Sequence, residues 1–156
     1  MIQIKPEIFQ EVLSAYDLGE GTITYKAYGE GHINNTSLVT VTGEETHRFI
    51  LQRINTDIFT DPKSLMENIC GVTSYLKDII AERGGDTERE TMTVVYTRDG
   101  QPYYTDSTQG AWRIYKFVEH TICLQQCRNT EDFYTSAKAF GQFQNNLSGY
   151  DASTLH

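Results

Sequence analysis

Residues 28–36 read Tyr-Gly-Glu-Gly-His-Ile-Asn-Asn-Thr, a run of the form G-x-G-x-x-N-x-T between two segments with the alternating pattern of strands. Glycines at such positions let a hairpin bring its backbone N–H groups close to an anion such as a nucleotide phosphate, because no Cβ stands in the way. An ordinary hairpin with glycines in its turn would have the same form. The surrounding elements must therefore decide whether this run indicates a phosphate-binding hairpin.

The neighbouring segments predict an opening helix and three antiparallel strands. Apolar residues at helical spacing indicate a helix over 6–16. Alternating residues indicate strands over 22–28, 37–41 and 48–55, and the turn residues 42–45 separate the last two. The glycine run is thus the connection between the first two strands.

A long helix follows the third strand. It begins at Pro62 behind the N-cap Asp61 and ends at Gly84-Gly85. Its apolar stripe consists of Leu65, Ile69, Val72, Leu76, Ile79 and Ile80.

A second β block and a last helix complete the pattern. Asp99-Gly100 predicts a hairpin turn between strands 93–98 and 101–105, and a further, more apolar strand covers 111–118. Thr130 is the predicted cap of a helix that runs to about 148. One face of this helix carries Phe133, Ala137, Phe140, Phe143 and Leu147. The order of elements predicts an α+β fold.

Composition excludes several classes of protein. The 156 residues contain 13 Lys and Arg against 21 Asp and Glu, a net charge of −8, so nucleic acid is not an expected partner. No run reaches the roughly 18 apolar residues of a membrane span, and the first residues lack a signal-peptide pattern. Three cysteines are too few for a disulfide scaffold. We expect a cytoplasmic protein with no membrane partner.

A glycine hairpin, a third strand that ends in polar residues, a helix and further strands repeat the plan of a kinase small lobe. In that plan the third strand presents a side chain to the nucleotide phosphates. Gln52 and Arg53 point to opposite faces because side chains alternate along a strand, and the sequence does not decide which of them faces the nucleotide. Arg53 has the charge and the forked donor set that suit phosphate, whereas Gln52 has only neutral donors.

The long helix offers two candidate residues to the nucleotide cleft of such a lobe. In a protein kinase a glutamate on this helix pairs with the basic residue of the third strand, and Glu67 is the candidate by residue type. At 100° per residue, however, Glu67 lies about 200° from Leu65, whereas Asn68 lies only about 60° from it. We therefore expect Asn68 to face the cleft and Glu67 to be solvated.

Five stretches carry a specific resemblance to a known family. They cover residues 28–39 (YGEGHINNTSLV), 49–59 (FILQRINTDIF), 65–77, 112–121 (WRIYKFVEHT) and 139–155 (AFGQFQNNLSGYDASTL). In this order they resemble N-acetylhexosamine 1-kinases of the aminoglycoside phosphotransferase and choline kinase superfamily. The resemblance implies a protein-kinase-like small lobe with a five-stranded, mainly antiparallel sheet and a long helix, followed by the hinge and the first helix of the large lobe.

The resemblance also implies a division of the chain and a set of ligands. Residues 1–118 would form the nucleotide-binding small lobe, and 119–156 the hinge and the start of a truncated large lobe. ATP with Mg²⁺ and a sugar substrate, an N-acetylated hexosamine phosphorylated at its anomeric hydroxyl, are the implied ligands. The resemblance identifies the family more firmly than it identifies the sugar acceptor. It does not decide between ATP and GTP as the nucleotide.

Site residues follow from the same resemblance. Gly29, Gly31, His32, Asn34 and Thr36 would contact phosphate. The strand before the hinge would read adenine through Tyr115, the Lys116 carbonyl, Phe117 and the Val118 N–H.

The sequence departs from the family pattern at the catalytic residues. None of the four histidines is followed two residues later by Asp, so the H-x-D-x-x-x-x-N loop is absent, as is the later metal-binding Asp. Phosphoryl transfer needs such groups. We expect the catalytic and Mg²⁺-binding residues to lie beyond residue 156, this chain alone to be inactive, and the aromatic face of helix 130–148 to cause self-association.

Two other functions fit the same residues. One is a noncatalytic nucleotide-binding or interaction module. The other is a different kinase of the superfamily that acts on choline, homoserine, methylthioribose or an aminoglycoside. The C-x-[PA]-x-R sulfatase signature is absent.

Overall fold

The computed structural model describes residues 4–29, 31, 33–122, 124 and 126–156 and has an α+β fold. The order of elements matches the prediction. They are α1 (Pro6–Ser14), β1 (Thr22–Ala27), β2 (Asn35–Thr42), β3 (Thr46–Arg53), α2 (Pro62–Glu82), β4 (Val94–Val95), β5 (Tyr104–Thr105), β6 (Ala111–Lys116) and α3 (Thr130–Asn146), followed by a 3-10 turn over Ala152–Thr154.

The sheet has six strands rather than the expected five. Its order is β1-β2-β3-β6-β4 with antiparallel neighbours, and β5 also pairs with β6. The turn at Asp99-Gly100 forms, because Thr97 N donates to Gln101 O over 2.9 Å. The strands on either side of it do not form their own hairpin ladder. Both are short and pair one after the other along the same edge of β6.

One side of the sheet, which we call the back face, packs against α1. Alternate strand residues form its buried core with Phe9, Val12, Leu13 and Tyr16 of α1 and the adjoining Leu18. The strand residues of the back face are Val39, Val41, Phe49, Leu51, Trp112 and Ile114. The intervening residues form the other side, the front face, which includes Thr36, Ile50, Gln52, Arg113 and Tyr115.

A buried carboxylate fixes the turn before β6. Asp106 is 2% exposed and accepts hydrogen bonds from Trp112 Nε1 (2.6 Å) and from the backbone N–H groups of Thr108 (2.7 Å) and Gly110 (2.9 Å). Burial opposes its ionisation, but these bonds outweigh burial and lower the pKa of Asp106. The turn thereby orients Trp112 toward the back-face core.

Helix α2 packs with a face that overlaps the predicted stripe at Leu76 and Ile80 but also includes Met66. Asp61 caps the helix as expected and accepts a hydrogen bond from Ser64 N over 3.1 Å. The fully buried side chains are Met66, Leu76 and Ile80, whereas Leu65 is only partly buried. Met66 was outside the predicted stripe because half-buried residues surround this helix and blur its period.

The N-cap of helix α3 is Asn129, one residue before the predicted cap Thr130. The Asn129 side chain accepts a hydrogen bond from Asp132 N over 2.8 Å. The helix contains no buried residue, and Phe133 and Phe140 are 65% and 63% exposed. The segment after α3 returns to α2, where the Tyr150 ring lies 5.3 Å from the Tyr75 ring. Among the described helices, none has the length and apolar character needed to cross a membrane.

Candidate functional site

A cleft of about 570 Å³ lies between the glycine hairpin and the end of β6. Three parts of the chain line it: the hairpin, through residues 28, 29, 31 and 36; the segment 115–118; and the loop 89–92 after α2. Ile50 lies among them on the front face. The two stretches that the sequence assigned to phosphate and to adenine therefore border one cavity.

The hairpin is closed at its base and open at its glycines. Tyr28 N donates to Thr36 O over 3.0 Å, and Asn34 Oδ1 accepts from Asn55 N over 3.0 Å, which ties the hairpin to the end of β3. Gly29 has φ +76°, a conformation that favours glycine. A Cβ at Gly29 or Gly31 would meet no described atom within 4 Å, so their backbone is accessible from the cleft.

The segment 116–118, which we call the hinge segment, leaves two backbone groups available. Lys116 N donates to Thr93 O (2.9 Å) and Phe117 N donates to Arg48 O (3.1 Å). In the part of the chain that the structure describes, no hydrogen bond involves the Lys116 carbonyl or the Val118 N–H. An acceptor and a donor two residues apart can pair with a planar heterocycle that carries the complementary groups.

Side chains hold the hinge segment in place. Arg48 stacks over the Phe117 ring at 4.4 Å from its centroid and forms an ion pair with Glu119, with Nε 2.8 Å from Oε1. This hydrogen bond holds the pKa of Glu119 below its usual range. Arg89 Nη1 donates to Glu119 O over 2.7 Å. The Phe117 ring also packs edge-on against Tyr28 of the hairpin at 5.8 Å.

The strand register settles the alternative between Gln52 and Arg53. In the strand register Gln52 lies opposite Thr36 of β2 and Arg113 of β6, and all three side chains are on the front face. Gln52 Nε2 donates to Thr36 Oγ1 over 3.0 Å. Arg53 lies on the back face: a Cβ added to Gly110 would lie 2.7 Å from Arg53 Nε and 2.6 Å from Asp106 Oδ2. Gln52 is therefore the residue on the cleft side, and the charged neighbour points away from it.

Arg113 is a front-face cation that the sequence analysis passed over. Its Nε and Nη2 donate to Gln52 Oε1 over 3.0 and 2.8 Å, and its Nη1 lies 4.0 Å from Met66 Sδ of α2. Burial lowers the pKa of its guanidinium, against the opposing effect of Tyr115. The signal was available, because Arg113 lies two residues before Tyr115 and so shares its face.

The remaining predicted residues fall elsewhere. Asn68 lines a neighbouring cavity beside Phe143 rather than the cleft, and its amide exchanges hydrogen bonds with the His156 backbone at 3.0 and 3.2 Å. The helix is turned so that Met66, not Asn68, reaches toward Arg113. Glu67 is partly exposed and pairs with Lys63 at 3.5 Å and with His156 at 3.0 Å. His32 lies outside the described residues.

Comparison with known proteins adds no family to this description. No model of a known protein family matches the chain. Among the described residues, no group of three or more His, Cys, Asp or Glu side chains is placed to hold a metal ion. The site is thus defined by its own geometry: a cleft with a glycine hairpin, an open pair of backbone groups and a cation on the adjoining face.

Proposed function

We propose that this chain is the ATP-binding portion of a small-molecule kinase that phosphorylates a sugar hydroxyl. The acceptor we propose is the anomeric hydroxyl of an N-acetylated hexosamine. We also propose that the protein is cytoplasmic. The observation that carries the proposal is the single cleft bordered by both the glycine hairpin and the hinge segment. The acceptor class rests on the resemblance of residues 28–39, 49–59, 65–77, 112–121 and 139–155 to N-acetylhexosamine 1-kinases.

The residues present fit an adenine nucleotide. The Lys116 carbonyl would accept from the exocyclic amine of adenine, and the Val118 N–H would donate to a ring nitrogen. Ile50 and Met92 supply apolar surface beside these groups, and the cleft volume suits a small molecule. The phosphates would then extend toward Gly29 and Gly31, whose backbone can be approached closely.

The residues present do not fit Mg²⁺ in the same way. Holding Mg²⁺ in a kinase requires oxygen ligands, chiefly carboxylates, near the phosphates. Among the described residues no group of three or more His, Cys, Asp or Glu side chains is placed to hold a metal ion, although Glu90 borders the cleft, and the sequence has no H-x-D-x-x-x-x-N loop. We therefore assign to this chain the binding and orientation of ATP, and we expect it to transfer no phosphoryl group by itself.

Equilibrium binding tests the nucleotide part of the proposal. We expect the chain to bind ATP and adenosine in isothermal titration calorimetry, since the hinge segment would recognise the base that both share. The variant Val118→Pro lacks the N–H donor and should have a lower affinity for both ligands. A chain that binds neither ligand would contradict the proposal.

A coupled ADP-release assay tests the acceptor part. The protein from the complete open reading frame is assayed beside this chain with ATP, Mg²⁺ and a panel of N-acetylglucosamine, N-acetylgalactosamine, glucose, choline and an aminoglycoside. Preferential turnover of the two N-acetylated hexosamines is the expected result. Turnover of choline or the aminoglycoside instead would show a different kinase of the same superfamily, and ATP binding without any turnover would favour a noncatalytic module.

A further inference from the structure

Two arginines of the front face differ in how their charge is balanced. Arg48 pairs with the Glu119 carboxylate beside the hinge segment. Arg113 has no carboxylate oxygen within 4 Å among the described residues and bonds to the neutral amide of Gln52. A partly buried guanidinium without a counter-ion is costly unless a ligand or solvent supplies negative charge.

A chain of hydrogen bonds connects Arg113 to the cleft. Thr36, which lines the cleft, accepts from Gln52 Nε2 over 3.0 Å. That bond fixes the amide so that Gln52 Oε1 faces Arg113, where it accepts from both Nε and Nη2. The chain crosses the three adjacent strands β2, β3 and β6 at one level of the sheet, because Thr36 pairs with Gln52 and Gln52 with Arg113.

Gln52 occupies only part of the donor set of Arg113. A guanidinium has five N–H donors, and Gln52 Oε1 receives one from Nε and one from Nη2. The hydrogen-bond partner of Nη1 among the described residues is Met66 Sδ at 4.0 Å, a weak acceptor. The remaining donors can therefore bind an anion, and a forked donor set matches the oxygens of a phosphate.

We propose that Arg113 is the cation that binds a phosphate group of the nucleotide, and that Gln52 is the residue that positions it. This inference rests on the proposed function, since it assumes a nucleotide in the cleft. The third strand places the neutral Gln52 on the front face and Arg53 on the back. Its other arginine, Arg48, lies on the front face but is paired with Glu119, so Arg113 of β6 is the front-face arginine whose charge no described carboxylate balances.

The test compares ligands that share the base and differ in phosphate. ATP, ADP, AMP and adenosine are titrated into the chain and into Arg113→Met. Loss of a charge-assisted hydrogen bond should make the ATP affinity roughly 10- to 150-fold weaker. Adenosine affinity should not change. Arg53→Met, the same substitution on the back face of the neighbouring strand, should leave both affinities within about twofold.

A second variant covers the case in which Arg113→Met does not fold, as judged by its circular dichroism melting curve. Gln52→Glu keeps the shape of the side chain and gives Arg113 a carboxylate partner, which should compete with phosphate. It should weaken ATP roughly tenfold while adenosine affinity stays the same. Unchanged ATP binding by Gln52→Glu would overturn the positioning role of Gln52.

The outcomes separate this inference from the proposed function. If the unsubstituted chain binds neither ATP nor adenosine, the proposed function fails and the inference falls with it. If ATP binds Arg113→Met as tightly as it binds the unsubstituted chain, the inference is wrong and the proposed function stands. Equal weakening of ATP and adenosine would also overturn it, because a phosphate contact affects only the phosphorylated ligands.

Discussion

Leu51 and Trp112 lie on the back face at 0% and 1% exposure, whereas the next residues of the same two strands, Gln52 and Arg113, lie on the front face and remain partly exposed. The back-face pair packs against the apolar residues of α1. The front-face pair bonds to each other and to Thr36 across the strands. One alternating pattern thus places an apolar pair against α1 on the back face and a hydrogen-bonded polar pair on the front face.

The difference separates stability from binding. Removal of apolar area from water, as on the back face, is the main favourable contribution to the free energy of folding. The polar groups of the front face contribute little net stability, because their bonds replace bonds to water. Substitutions on the two faces should therefore affect different measurements.

The largest effect is expected from a back-face cavity. Leu51→Ala should lower the free energy of unfolding by about 3 kcal/mol, because the residue is fully buried and the core around it cannot collapse completely. Gln52→Met on the adjacent position should cost only about 1 kcal/mol. Urea denaturation measures both. Equal losses would mean that the front face is as important for stability as the back.

A smaller effect is expected at the buried carboxylate. Asp106→Asn should lower the free energy of unfolding by about 2 kcal/mol at pH 7, since the amide cannot accept all the bonds that the carboxylate accepts from Trp112, Thr108 and Gly110. The folded-state pKa of Asp106 lies below its unfolded value of about 3.9. Its contribution is therefore present above pH 3.9 and is lost as pH falls through the folded-state value.

The control for this prediction compares the pH dependence of stability in the unsubstituted chain and in Asp106→Asn. Urea midpoints measured from pH 7 to pH 3 should fall more steeply for the unsubstituted chain than for Asp106→Asn. Parallel curves would show that ionised Asp106 does not stabilise the fold.

A modest effect is expected in the hairpin. Gly29→Ala should cost about 1 kcal/mol of stability, because φ +76° is unfavourable for a residue with a Cβ. Gly31→Ala is the matched control, with no such strain, and should change stability by less than about 0.5 kcal/mol. Thermal denaturation checks both, and an equal loss would contradict the assignment of strain to Gly29 alone.

The smallest effect on stability is expected in α3. Phe140→Ser should change the free energy of unfolding by less than about 0.5 kcal/mol, because the ring is already 63% exposed. The self-association expected of this helix stays a prediction, and the same substitution should reduce it, since Phe140 and Phe143 form one apolar patch with ring centroids 6.4 Å apart. Analytical ultracentrifugation of the unsubstituted chain, of Phe140→Ser and of the control Lys138→Ser measures self-association. A monomeric unsubstituted chain at all concentrations would contradict the prediction.

The sequence predicted the elements well where local chemistry controls them. The alternation in β1 to β3 and the cap at Asp61 are local patterns, and both are confirmed. The strands beside Asp99-Gly100 were predicted to pair with each other, whereas both pair with β6. A turn determines where the chain reverses, but the choice of strand partner depends on the whole sheet.

The site residues followed the same division. Alternation established that Gln52 and Arg53 face opposite ways, but only the position of α1 identifies which side is the core. Arg113 could have been found by counting two residues back from Tyr115. The rotation of α2, which brings Met66 rather than Asn68 toward Arg113, depends on packing that an ambiguous stripe does not encode.

The most direct test of the central claim is a titration of the chain with adenosine followed by backbone amide NMR. The account predicts chemical-shift changes at Phe117, Val118 and Met92, around the base in the front-face cleft, and none at Leu18 or Gly19, which line the back-face cavity beside α1. Changes confined to that back-face cavity, or no changes at millimolar adenosine, would contradict it.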